Sequence, residues 1–333
     1  MKTQLLIILV TLLANCSTVT SSIENDTSEK VNYGNNIVIL SDLSNRILRK
    51  KSIHDTIIIS SVIDKLKPLI EKSVELNIYD KFNFYSVNHV SVDRIYSDDM
   101  GLNFNIDLTT FNKNELDISN YLYGRIEQDY DSDITDIKTS INLVYDHNMG
   151  SEILGADIWH YFNDELDHTL IDTTTERYTF QNKTYATRKK NKVILLTDGY
   201  IEAGRYANDP TMFDKKNPNQ SKYLSAKLLN QFRINFNNSS YQSPEEFFAV
   251  EKYGLIPLQN PLIDEIELLV LEIDDRTIVN GVTTVSPPDS KIIKLFWAKW
   301  LKDSGMKPSN FQIYERFKNE RELDLVLSNF LNQ

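Results

Sequence analysis

The sequence of 333 residues contains only one cysteine, Cys16. A single thiol cannot form a disulfide within the chain, which excludes the disulfide-rich class of secreted domains. Basic residues are in the minority as well: 36 Lys and Arg stand against 47 Asp and Glu, and the formal net charge is -11. Because sequence-independent binding to nucleic acid needs clustered Lys and Arg, this balance argues against a nucleic-acid partner.

Glycine and proline are also scarce, with 10 and 9 residues, whereas 41% of the chain is hydrophobic and 25% is charged. This composition is typical of a globular chain with a buried core. The length allows one large domain or two ordinary ones.

The apolar run near the start of the chain is short. It extends from Leu5 to Leu13 and follows Lys2. A membrane span needs about 20 apolar residues, so this pattern predicts a secretory signal instead. An ordinary cleaved signal with an incidental cysteine is one interpretation of it.

The letters LLANC that follow resemble the signal of bacterial lipoproteins, with Asn15 in a place where Gly, Ala or Ser is usual. The resemblance implies that residues 1–15 are a signal peptide and that Cys16 is lipidated. The chain would then be lipid-anchored to a membrane of the bacterial cell envelope.

Residues 16–34 are rich in Ser, Thr, Asn and Glu and lack an apolar period, which predicts a flexible tether. A folded domain is expected over residues 35–333.

Short apolar strands are predicted at Ile37–Ser41, at Val193–Leu196 and at 266–274, and helices at 55–77 and 155–170. A hairpin is predicted to turn near residues 182–183. Two polar stretches, at about 112–150 and 202–262, are interpreted as insertions.

The alternation of buried strands with helices predicts an α/β fold. We expect a doubly wound, mostly parallel sheet flanked by helices, of the Rossmann-like kind.

In such sheets, ligands bind outside the carboxyl ends of the strands. Asp42 and Asp198 each directly follow a buried strand, so both carboxylates should face one crevice. With Ser44 they form a set of hard oxygen ligands that suits Mg²⁺, Mn²⁺ or Ca²⁺.

The stretches VILSDLSNR and VILLTDG together resemble a von Willebrand factor A (vWA) domain, over about residues 36 to 331. The resemblance implies a metal ion-dependent adhesion site, in which Asp42 and Ser44 match the first two positions and Asp198 matches the distal Asp. Ser151 is the nearest hydroxyl to the family's missing Thr, and Asp157 is an acidic substitute. The resemblance also implies a binding module for a protein or peptide partner rather than an enzyme.

Arg46 stands where the vWA motif has its second Ser. A guanidinium cannot coordinate a cation, and Arg46 is able to pair with Asp42 or Asp198 instead. The sequence therefore leaves open a metal-free scaffold.

A third interpretation is a phosphohydrolase of the haloacid dehalogenase type, with Asp42 as nucleophile and Asp274 or Asp275 holding Mg²⁺. Ser44 argues against it, because a hydroxyl cannot serve as the general acid expected there.

Overall fold

The computed structural model describes residues 30–49, 51–87, 102–149, 155–180, 183–202, 212–279 and 281–333. Cys16, Ser151 and most of the predicted tether lie outside these ranges. No helix in the described ranges is long and apolar enough to span a membrane.

A mixed, mostly parallel sheet of seven strands forms the centre of the fold. Its strands are β1 Lys30–Ser41, β2 Lys81–Ser86, β3 Asn105–Asp107, β4 Glu176–Phe180, β5 Lys183–Leu196, β8 Ile266–Ile273 and β11 Phe311–Glu315, and two small pairs lie outside it, β6 Gln220–Ser221 with β7 Gly254–Leu255 and β9 Ile278–Val279 with β10 Val282–Thr283. The strand order is β11-β8-β5-β1-β2-β3, and β4 pairs with β5. Only β3 and β4 run antiparallel to their neighbours in this sheet.

Helices cover both faces of the sheet. They are α1 Asp55–Ile63, α2 Leu66–Val74, α3 Glu115–Leu122, α4 Tyr130–Asn148, α5 Ala226–Asn237, α6 Pro244–Val250, α7 Asp289–Asp303 and α8 Glu320–Leu331. Alternate residues of β1 enter two separate cores: Val38 and Leu40 join the core that holds Trp297, whereas Ile37 and Ile39 join the core that holds Ile58. Burial on both faces explains the continuous apolar run of this strand. The predicted α/β class, with a mostly parallel sheet flanked by helices, is confirmed and is consistent with a Rossmann-like fold.

The predicted hairpin near residues 182–183 is present, with Phe180 paired to Lys183. The long arm of this hairpin, β5, pairs with β1 from Lys30 onward. Residues 30–34 therefore lie in the sheet rather than in the predicted tether, because backbone pairing outweighs their polar composition.

Two predicted helices differ from the structure. The segment 55–77 forms α1 and α2 with a break between Ile63 and Leu66. Pro68 explains the break, since its ring clashes with the carbonyl four residues earlier, at Asp64.

The segment 155–170 forms only the turn Ile158–His160 and a π-helical turn Tyr161–Glu165. Asn260 donates to the carbonyls of Phe162 and Leu166 at 3.0 and 2.7 Å, which replaces the missing helical hydrogen bonds. The apolar residues of this segment are buried as predicted, but without a regular helix.

Candidate functional site

Three of the predicted site residues meet at the carboxyl edge of the sheet. β1 and β5 are parallel neighbours, with Ser41 paired to Leu196, so Asp42 and Asp198 follow adjacent strand ends. Both carboxylates are buried. Burial raises the pKa of Asp42; Arg46 opposes the rise and the charge of Asp198 adds to it. The structure therefore places the two residues at the same edge of the sheet; that they face one crevice stays a prediction.

Asp42 organises the loop that follows β1. Its Oδ1 accepts the amide hydrogen of Ser44 at 2.9 Å, and its Oδ2 accepts the hydroxyl hydrogen of Thr197 at 3.1 Å. The Ser44 hydroxyl bonds to the same carboxylate. A carboxylate that bonds the amide two residues later is a common device for fixing a turn. These hydrogen bonds explain why polar residues directly follow the buried strand β1.

The Arg46 guanidinium is fully buried against this carboxylate. Its Nε lies 3.5 Å from Asp42 Oδ2, and a terminal nitrogen donates to Asp55 Oδ2 and to the Leu196 carbonyl, at 2.7 Å each. Burial alone would lower the pKa of Arg46, but Asp55 and Asp42 outweigh it and raise the pKa. The cation is therefore held by carboxylates from two elements, the end of β1 and the start of α1.

Asp198 pairs with a different arginine, Arg276. Its Oδ2 accepts a hydrogen bond from Arg276 at 2.8 Å, and Arg276 also donates to Glu202 at 3.2 Å. The guanidinium lies over the Tyr200 ring, 3.7 Å from its centroid. The Tyr200 hydroxyl in turn donates to Asp289.

The carboxylates as arranged do not suit a divalent cation. Asp42, Asp55 and Asp198 each contact a guanidinium of the chain, and a metal ion beside those guanidinium groups would meet like charge. Among the described residues, no group of three or more His, Cys, Asp or Glu is arranged to hold a metal ion. Metal binding through Asp42, Ser44 and Asp198 stays a prediction.

Of the two remaining predicted ligands, Asp157 makes its hydrogen bonds away from this cluster. Asp157 caps the turn at Ile158 by accepting the His160 amide hydrogen at 3.1 Å, and it accepts the Tyr223 hydroxyl hydrogen at 3.0 Å. Those contacts hold the segment before the turn. Ser151 lies outside the described residues.

The buried charges continue from Arg46 to Lys51 and Glu272. Lys51 donates to Asp55 Oδ1 at 2.5 Å, and its Nζ lies 3.9 Å from Glu272 Oε2. Burial would raise the pKa of Asp55, but Arg46 and Lys51 lower it to about 2. Burial raises the pKa of Glu272 to about 7, although Lys51 opposes the rise.

Glu272 also has an unusual backbone. Its φ is +79°, although it is not glycine, and it lies at the end of β8. Within the part of the chain that the structure describes, its buried Oε2 has no hydrogen-bond partner. Such strain and such an unbonded oxygen persist only where the surroundings hold them, which is typical of functional positions.

A cavity of about 390 Å³ opens beside these charges, between the loop after β1, the start of α1 and the end of α4. Its buried wall is formed by Ile47, Lys51, Asp55 and Tyr145, and its mouth includes the exposed Asn142, Asp146 and Met149. The Tyr145 hydroxyl contacts Ser41 Oγ at 2.5 Å and donates to Asp55 at 3.1 Å.

Sequence reasoning missed Lys51, Asp55, Glu272 and Arg276. Two signals were present. Glu272 is the single charged residue in the otherwise apolar stretch LLVLEI, and a buried charge of that kind needs a partner. Lys51 lies four residues before Asp55, the first residue of the apolar helix α1, a spacing that lets the two side chains pair. Tyr145 gave no such signal.

A scan of the chain against protein-family models gave no match, and a search among curated proteins gave none either.

Proposed function

We propose that this protein is a binding module of the vWA type, anchored to the cell envelope through lipidated Cys16. It takes up a protein or peptide partner at the carboxyl edge of its sheet. The observation that carries the proposal is the pairing of Asp42 and Asp198, at neighbouring strand ends, with Arg46 and Arg276. We propose that these arginines take the place of the metal ion of a vWA domain, so that recognition works without metal.

The strand order and the two-sided helical cover support this proposal. Parallel strands β2, β1, β5, β8 and β11 all end at one edge, which is where α/β sheets bind their ligands. We propose that this sheet has the doubly wound topology of a vWA domain.

Charged groups of both signs surround the same edge. Arg49 and Arg316 each pair with Asp274, at 3.1 and 2.8 Å, and Arg276 pairs with Glu202. These three arginines are 39%, 21% and 23% exposed, so they are within reach of a partner. Arginine is suited to pairing with carboxylates at an interface.

The hydrolase alternative is less well supported by the geometry. Asp42 is 1% exposed, and both of its oxygens are engaged by Ser44, Thr197 and Arg46, which leaves no approach for a phosphate. Asp275 accepts the Thr277 amide hydrogen at 2.9 Å and so shapes a turn. We expect the protein to release no phosphate from p-nitrophenyl phosphate in the presence of Mg²⁺.

The proposal is tested by photo-crosslinking in intact cells. A photoreactive amino acid replaces Leu48, which is 56% exposed beside the cavity, or Lys307, an exposed residue just before β11 and therefore at the opposite edge. A discrete protein adduct is expected from position 48, with or without EDTA, and none from position 307. No adduct from position 48, or the same adducts from both positions, would overturn the proposal.

The anchor is tested separately. Full-length protein is expected in the membrane fraction, and Cys16→Ser is expected to leave it. Equal membrane association of both would contradict lipidation at Cys16.

A further inference from the structure

Three large apolar side chains are exposed on α3 and on the loop that follows it. Leu116 is 66% exposed, Tyr123 is 56% exposed and Ile126 is 42% exposed. Leu116 lies in α3, and Tyr123 directly follows the last residue of this helix. Because the two are seven positions apart, their side chains share one face of the helix, about 10 Å from each other. The opposite face, with Ile118 and Leu122, is buried in the core. Leu116, Tyr123 and Ile126 therefore form an apolar strip on the surface.

The first turn of α4 lies beside the end of α3. The rings of Tyr121 in α3 and Tyr130 in α4 pack edge to face, with their centroids 6.0 Å apart. The Tyr121 hydroxyl also donates to Asp133 of α4 at 2.7 Å. The charged residues at the start of α4 are therefore neighbours of the apolar strip.

The surface around the strip is strongly acidic. Residues 115–136 contain seven Asp and Glu and one Arg, and their net charge of -6 is more than half of the -11 of the whole chain. The exposed carboxylates among them are Glu115, Asp117, Glu127, Asp131 and Asp136. Helix dipoles favour acids in the first turns of α3 and α4, but Glu127 and Asp136 lie outside those turns. Of the five, only Asp131 pairs with a cation of the described part of the chain, Lys67 at 3.7 Å.

An apolar strip with an acidic surround selects its partner by charge. A second copy of the same surface, or an anionic membrane, would bring like charge against these carboxylates. A basic segment would pair Lys or Arg with them while its apolar side chains cover the strip. The spacing of Leu116 and Tyr123 matches two apolar residues seven positions apart on a partner helix.

We propose that the apolar strip is a docking surface for a basic amphipathic helix of another protein. This surface is separate from the carboxyl edge of the sheet, because α4 begins beside the strip and ends at the cavity, 19 residues or about 28 Å further on. The inference goes beyond the proposed function and does not depend on it. It gives a role to the first of the two polar stretches that were interpreted as insertions.

Binding of labelled peptides to the full-length protein in a non-ionic detergent tests the inference. The probe is a fluorescein-labelled peptide of Lys and Ala, about 15 residues long, that carries two Leu seven positions apart. One matched peptide has Ser in place of both Leu, and the other has Glu in place of every Lys. Fluorescence anisotropy at physiological ionic strength measures binding, with the detergent alone as the blank.

We expect the Lys–Leu peptide to bind saturably and at least about tenfold more tightly than either matched peptide, because it alone covers the strip and complements the charge. No saturable binding, or equal binding of the Lys–Leu and Lys–Ser peptides, would overturn the inference. Tighter binding of the Glu peptide would overturn it too, since the surface would then accept anions.

Matched variants assign the binding to this surface. Leu116→Ser is expected to weaken binding about tenfold, and Asp131→Lys about threefold or more. The controls are Leu325→Ser and Glu322→Lys on α8, which also has an exposed leucine and acids in its first turn. We expect both controls to bind the peptide as the unchanged protein does. Equal losses on α3 and α8 would mean that any acidic helix attracts the peptide, and the inference would fail.

Sedimentation of the protein without peptide tests a second copy as the occupant. We expect the unchanged protein and Leu116→Ser to have the same oligomeric state. A smaller assembly in Leu116→Ser would make the strip an interface between copies of this chain and would overturn the inference.

Discussion

Among single residues, Arg46 joins two parts of the fold that are not adjacent in the chain. It contacts Asp42 after β1, Asp55 at the start of α1 and the Leu196 carbonyl of β5. A buried ion pair contributes little by itself, but removing one partner leaves the other charged and unpaired in the core. Arg46 is therefore a structural requirement of this part of the fold.

Arg46→Met should strongly destabilise the protein. Because Asp42 loses its cation and Asp55 keeps only Lys51, we expect a loss of about 3–5 kcal/mol in the free energy of unfolding. Urea denaturation measures it, with Arg125→Met at an exposed position as the control. Equal stability of the two variants would show that the buried charges do not depend on Arg46.

Glu272 should make stability depend on pH. The pKa of Glu272 is raised in the folded chain from 4.5 to about 7, so the folded state holds this proton more tightly than the unfolded state does. The resulting stabilisation is fully present below about pH 4.5 and is lost as the pH rises to about 7.

Between pH 5 and 8 the protein should lose about 2 kcal/mol more stability than Glu272→Gln. Burial raises the pKa of Asp80 to about 6, which acts in the same direction, but Asp80 is present in both proteins and cancels in the comparison. Denaturation curves at several pH values measure the difference. Parallel pH dependence of the two proteins would contradict this role of Glu272.

At the scale of elements, the loop after β5 depends on a glycine. Gly199 has a φ of +85°, and a Cβ at this position would lie 2.6 Å from Ile273 Cδ1 and 2.7 Å from Ile293 Cγ2. Its carbonyl accepts the Trp297 indole hydrogen at 2.8 Å. The glycine that follows Asp198 in the sequence thus lets the strand end pack against β8 and α7.

Gly199→Ala should be more costly than Gly281→Ala. Both glycines have positive φ, but a Cβ at Gly281 meets no atom within 4 Å. A left-handed backbone alone costs about 1–2 kcal/mol in Gly281→Ala, and overpacking adds about 1–3 kcal/mol in Gly199→Ala. Thermal unfolding of both variants measures this, and equal shifts would refute the packing argument.

Elements that are determined by a local sequence pattern could be predicted from the sequence. Elements that are determined by contacts with distant residues could not. The apolar strands around Val38 and Val193 and the hairpin at Lys183 followed from short-range sequence. The failed helix at 155–170 has helical spacing of its apolar residues, but contacts to Asn260, about a hundred residues later, fix its backbone. No local pattern contains that information.

The same distinction applies to the residues of the candidate site. Strand order placed Asp42 and Asp198 together, and a charged residue in the metal motif pointed to Arg46. Arg276 and Tyr145 come from segments distant in sequence, and only the folded sheet brings them to this edge.

For the whole molecule, β1 includes residues that the composition assigned to the tether. β1 pairs with β5 from Lys30 to Ser41, and the Asn36 side chain donates to the Leu170 carbonyl and to Asn191. A chain that starts at residue 30 should therefore keep the melting temperature of the full protein, and one that starts at residue 37 should melt well below it. Equal melting of the two would mean that residues 30–36 do not contribute to the stability of the fold, as the composition suggested for the residues up to 34.

We propose that Arg46 and Arg276 take the place of a metal ion at the strand ends. Isothermal titration of the full-length protein with Mg²⁺, Mn²⁺ and Ca²⁺, alongside Asp42→Ala, tests it most directly. We predict no saturable heat and no thermal stabilisation with any of the three ions. Saturable binding that disappears in Asp42→Ala would contradict the account and return Asp42, Ser44 and Asp198 to the role of metal ligands.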